Sequence, residues 1–168
     1  ADDPAAPSGA AGTATATLVE LYLREGNPSE ASRLLQQARN RLPGGEAERL
    51  WQLVARSWIR TGDLDRAEAS VAADSSLAGD EVRGWIALYR GDLGRARALL
   101  RTGVRPSERE SAAERVAMAA LLQVVEIDSL PALGAALLMA ERGDTLGASR
   151  ALVALARSGL MGEAEVLL

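Results

Sequence analysis

Asp63 and Asp65 stand two residues apart behind a glycine, the nearest this chain comes to a ligand set for a hard cation. A calcium loop needs further oxygen donors at fixed offsets, and Ala67 and Ala69 occupy the stretch that follows. Asp63 therefore reads as the cap of a helix and not as a metal ligand. Histidine and cysteine are both missing from the sequence, which removes the usual proton shuttle, the thiolate nucleophile, disulfides and the common zinc ligands. "GDLGRA" at 91 to 96 lacks the third glycine of a dinucleotide-binding loop and follows no strand pattern. No Lys is present to complete a phosphate-binding loop, and no Gly-x-Ser-x-Gly elbow occurs. The expectation is a non-enzyme with no cofactor and no metal site.

Charge narrows the partner class. The 19 basic residues, all Arg, face 23 acidic ones for a net charge of −4, and the signs are interleaved along the chain. Phosphate binding needs a concentrated cationic surface to release counterions, so a nucleic-acid partner is not expected. The densest basic patch, Arg95, Arg97, Arg101 and Arg105, reads as a solvated helix face. A membrane span is not expected either: the longest strongly apolar run, "ALGAALLMA" at 132 to 140, is about half the ~20 residues a spanning helix requires.

The elements that must carry any binding surface are helices. Hydrophobic residues make up 48% of the chain but aromatics only 3%, so Leu, Ala and Val must build the core, a composition that favours close helix contacts. No sustained alternation and no Asn-Gly hairpin signal points to strands, and the fold class is all-α. Residues 1 to 12, rich in Ala, Pro and Gly, read as a flexible tether, with residues 13 to 168 as a single helical domain. The opening Ala in place of Met points to an N-terminal piece removed either in preparing the protein or by a signal peptidase, the second of which would suit an exported bacterial protein. Export to the periplasm is accordingly one expectation, and a cytoplasmic location the other.

Apolar residues recur at three and four. Leu18, Leu21 and Tyr22 form one stripe, Leu34, Leu35 and Ala38 another, and Trp51, Val54, Ala55 and Trp58 a third. Each hairpin turns on a glycine followed by Asn or Asp: Gly26-Asn27, Gly62-Asp63, Gly91-Asp92 and Gly143-Asp144. The glycine can close one helix at positive φ, and the Asn or Asp side chain can accept from free N–H groups of the next. Pro28 fits the first helical position, and Ala31, Ala67, Ala96 and Ala148 follow their glycines by five residues, where a close crossing needs a small side chain. "PSERE" at 106 to 110 starts a further helix running to about Glu126, and "DSLP" at 128 to 131 starts another. After residue 129 the pairing is open, since a helix over 145 to 157 could be second in one hairpin or first in the next.

These residues resemble the tetratricopeptide repeat family, whose unit of about 34 residues is a pair of antiparallel helices. Residues 12 to 45 carry Leu18, Tyr22, Gly26, Ala31, Leu35, Ala38 and Pro43 in the family's order; 48 to 79 carry Trp51, Val54, Ala55, Trp58, Gly62, Ala67 and Val71. Gly84 and Leu100 keep the pattern in a third unit. Asp74, Arg83 and Ala87 depart from it. The resemblance spans 13 to 103 well and 130 to 168 loosely. It implies a right-handed α-α superhelix, a solenoid of antiparallel hairpins whose first helices line a concave groove. By that carry-over Glu20, Leu23, Arg49, Gln52, Arg56, Ile59, Glu81, Trp85 and Leu88 would face the groove, with Trp85 either the anchor for a partner or, if its repeat is rotated, part of the core. Trp51 and Trp58 are expected in the core.

The function expected is therefore non-catalytic binding of a peptide or helix of a partner protein. The family's clamp for a terminal carboxylate uses Lys, which this chain lacks, although Arg49 and Arg56 could pair an acidic peptide. Two alternatives stand beside it. One is a structural or regulatory segment of a larger multidomain protein, because "GEAEVLL" at 162 to 168 shows no helix cap. The other is a bundle enclosing an apolar ligand, resting on the Ala and Leu content of 112 to 140.

Overall fold

The computed structural model describes residues 6–38, 41–100, 118, 120–123 and 127–159. The chain is all-α: no strand occurs among the described residues, where the extended pairing is one isolated bridge between Asp92 and Ser129. Two compact units divide between Asp74 and Ser75.

In the first unit, α1 (Ala6–Arg24) and α2 (Pro28–Gln37) form one hairpin, and α3 (Gly44–Thr61) and α4 (Leu64–Ser70) another. Helix α3 packs on both α1 and α2. Leu35, Leu50, Val54, Ala55 and Val71 are wholly or almost wholly buried, and Trp58 sits with them at 7% exposure. In the second unit, α5 (Leu77–Arg90) pairs with α6 (Leu93–Leu100), and α7 (Pro131–Glu141) with α8 (Thr145–Arg157). α8 is thus second in its hairpin. Helix α7 also packs on α5, and Leu88, Leu93, Ala96, Leu122 and Leu133 form the core between these elements. The helix read from Ser107 onward lies mostly outside the described residues, which include a helical run at 120–123.

Helix α1 starts at Ala6, inside the stretch that composition marks as a tether. Alanine is the strongest helix former, and the Thr15 and Thr17 hydroxyls donate to the carbonyls of Ala11 and Thr13 at 2.9 and 3.0 Å, which keeps both polar groups within the helix. The apolar face of α1 is rotated from the expected stripe. Val19 is wholly buried, while Leu18 and Leu21 are 46% and 41% exposed. Residues 18, 19, 21, 22 and 23 are all apolar, so two overlapping stripes satisfy the helical period and periodicity alone does not choose between them.

The turns follow one plan. Gly26, Gly62, Gly91 and Gly143 have φ of 72°, 87°, 78° and 86°, a region that side chains disfavour. The next residue closes the turn with its backbone and opens the following helix with its side chain. The N–H groups of Asn27, Asp63, Asp92 and Asp144 donate to the carbonyls of Tyr22, Trp58, Ala87 and Met139 at 2.8, 3.0, 2.9 and 2.9 Å. Their side-chain oxygens accept from the N–H groups of Glu30, Arg66, Arg95 and Gly147 at 3.2, 3.0, 3.0 and 2.9 Å. Ala31, Ala67, Ala96 and Ala148 are all buried, as the crossing requires.

Segment 127–131 docks on the third of these turns. Leu130 N–H donates to Gly91 O at 2.8 Å, and Gly94 N–H to Asp128 O at 3.0 Å. Gly134 then lies so close that a methyl in place of its hydrogen would overlap the Gly91 amide and the carbonyls of Leu88 and Tyr89. Arg97 is half-buried and not a member of a solvated face. Its Nε donates to Leu122 O at 2.8 Å and its Nη1 to Asp128 Oδ1 at 3.1 Å, giving a donor to a carbonyl of the 120–123 helical run. Arg101 and Arg105 lie outside the described residues.

Candidate functional site

Two of the expected groove residues of the first unit, Glu20 and Arg49, meet where α1 and α3 pack together. Arg49 is the link. Its Nε and Nη2 form a two-pronged contact with Glu46 at 3.1 and 2.8 Å, and Nη2 also donates to Glu20 Oε1 on α1 at 2.8 Å. The hydrogen bond to Glu46 and then that to Glu20 raise the Arg49 pKa, and the bond from Arg49 holds the Glu46 carboxyl below the usual range. A guanidinium engaged by two carboxylates offers an incoming acidic peptide little. Arg49 therefore ties the first helices of successive hairpins together.

Gln52, one turn along α3 from Arg49, donates from Nε2 to Asp74 Oδ2 at 2.8 Å. Asp74 is only 6% exposed, so this polar residue at a position where the repeat pattern expects a small one is accommodated by a partner within the same unit. Arg56 shares the stripe, seven residues after Arg49, and is exposed; Leu23 is half-buried. Ile59, read as groove-facing, is 4% exposed and belongs to the core. Trp58 is core as expected, whereas Trp51 is half-buried.

In the second unit Glu81, Trp85 and Tyr89 recur every four residues along α5 and are all half-buried. Trp85 packs partly against the core, and its ring stacks on Tyr89 with centroids 6.1 Å apart and planes at 26°. Tyr89 Oη donates to Glu141 Oε2 at 3.2 Å, joining the end of α5 to the end of α7. Leu88 is not on this surface: it is wholly buried, because the close approach of α7 at Gly134 covers that side of α5.

Glu46, Tyr89 and Glu141 are members that the sequence does not single out, and Asp74 stands out in it only as a departure from the repeat pattern. The three-residue spacing of Glu46 and Arg49 on one helix was a usable signal for the first. Tyr89 and Glu141 are 52 residues apart and carried none. Among the described residues no group of three or more His, Cys, Asp or Glu side chains could hold a metal ion, and no helix is long and apolar enough to cross a membrane. Comparison with protein-family models, curated proteins and solved structures returns no match.

Proposed function

We propose that the chain is a protein-interaction module, a tetratricopeptide-like right-handed solenoid of helical hairpins whose first helices present a groove to a peptide or helix of a partner protein. The observation carrying this reading is the direct packing of α1 on α3, with Glu20, Arg49, Gln52 and Arg56 on adjoining stripes. Packing of α5 on α7 in the second unit supports it independently, since those helices too are the first of their hairpins. Arg56, exposed on α3, and Trp85, half-buried on α5, are of types enriched at protein interfaces.

Selection of a displayed random peptide library on the full chain tests the proposal. Peptides so obtained should lose binding by about tenfold, the equivalent of roughly 1.4 kcal/mol, in Arg56→Glu, and keep it in Arg150→Glu on α8. A library that yields no binder, or binders indifferent to both Arg56→Glu and Gln52→Ala, would overturn it.

A further inference from the structure

We propose that Trp85, Tyr89 and Glu141 form a subsite for the guanidinium of an arginine carried by the partner, a proposal that rests on the groove reading above in running that partner along α5 and α7. The three residues combine what a planar cation needs. Trp85 and Tyr89, both half-buried, form an aromatic pair 6.1 Å apart, held in place by the core against Trp85. Glu141 is exposed, and the hydrogen bond from Tyr89 Oη at 3.2 Å fixes its carboxylate beside the phenol ring. Glu81 adds a second carboxylate four residues before Trp85 on the same stripe of α5.

A guanidinium can lie flat on an aromatic ring while its N–H fork pairs with a carboxylate, whereas an ammonium is a point charge that stacks poorly. The first unit already makes the aromatic half of this contact internally, with the Arg66 guanidinium 4.8 Å over the Trp58 ring. An acidic partner is disfavoured at the same place, because Glu81 and Glu141 would repel it.

The probe is N-acetyl-arginine amide, titrated into the full chain while the indole N–H signals of Trp51, Trp58 and Trp85 are followed by NMR, each assigned from its Trp→Phe variant. The Trp85 signal should shift saturably, those of Trp51 and Trp58 should not, and N-acetyl-citrulline amide, which is neutral and of nearly the same shape, should leave all three unmoved. Glu141→Gln should weaken the effect about five- to tenfold with the fold intact by circular dichroism, and Tyr89→Phe should weaken it by releasing the carboxylate. An unmoved Trp85 signal, an equal response to citrulline, or an unchanged response in Glu141→Gln would overturn the subsite. Those results are separable from failure of the groove itself: library peptides that bind through Arg56 with no arginine response at Trp85 remove only the subsite, and an arginine response without any selected peptide removes only the peptide groove.

Discussion

The guanidinium of Arg66, in the first turn of α4, lies 4.8 Å over the ring of Trp58 near the end of α3. Trp58 also reaches the neighbouring hairpin, its indole N–H donating to Ser32 Oγ on α2 at 3.3 Å. One side chain thus joins three helices. Trp58→Ala should destabilise the first unit by roughly 3 to 5 kcal/mol, by the lost burial plus the cavity left behind. Urea melts followed by circular dichroism check this, and a loss under about 1 kcal/mol would remove Trp58 from the core.

The caps give a second, smaller prediction. Asp63→Ala removes the acceptor for the Arg66 N–H and should cost about 1 kcal/mol, while Asp63→Asn keeps an acceptor and should cost only a fraction of that. Thermal melts of the two variants separate the hydrogen bond from the charge. Equal losses would assign the effect to charge near the helix start instead.

Gly134 and Gly143 make a contrasting pair. An added methyl at Gly134 meets main-chain atoms of Leu88, Tyr89 and Gly91, so Gly134→Ala should cost at least the 1 to 3 kcal/mol, roughly, typical of overpacking. At Gly143 nothing lies within 4 Å of an added carbon, and only the positive φ opposes Gly143→Ala, at about 1 kcal/mol. Denaturant melts that ranked the two the other way round would contradict the close approach of α7 to the turn after α5.

Acid should release the Arg49 clasp at a lower pH than an ordinary glutamate would titrate. The Glu46 pKa is lowered in the folded chain, chiefly by the hydrogen bond from Arg49. Its stabilisation is therefore complete above the unfolded-state value near 4.3 and disappears as pH falls through the lower folded-state value. Because the pair is well exposed, the stability at stake is small, in the range of about 0 to 1 kcal/mol. Carboxyl NMR should show the Glu46 midpoint below the usual glutamate range, moving back toward it in Arg49→Gln; a midpoint indifferent to that substitution would show that Arg49 is not the cause.

How far the sequence carried these assignments depended on whether a feature was local. The glycine-Asx turns, the Pro28 start and the buried alanines were legible because each is decided within about six residues. The face of α1 was not, since five apolar residues between 18 and 23 leave the phase to whichever helices pack against it. Leu88 and Ile59 lie in the core where the repeat pattern puts them in the groove, for the same reason. Pairings across long separations, Arg97 with Asp128, Gln52 with Asp74 and Tyr89 with Glu141, join side chains whose local sequence names no partner.

The main-chain bonds from segment 127–131 back to the turn at Gly91 and Gly94 bring two stretches of backbone that are far apart in sequence into one joint. Gly91 and Gly134 are matched across that joint: a methyl on either would strike main-chain atoms of the other's segment, so neither position tolerates a side chain while the joint holds.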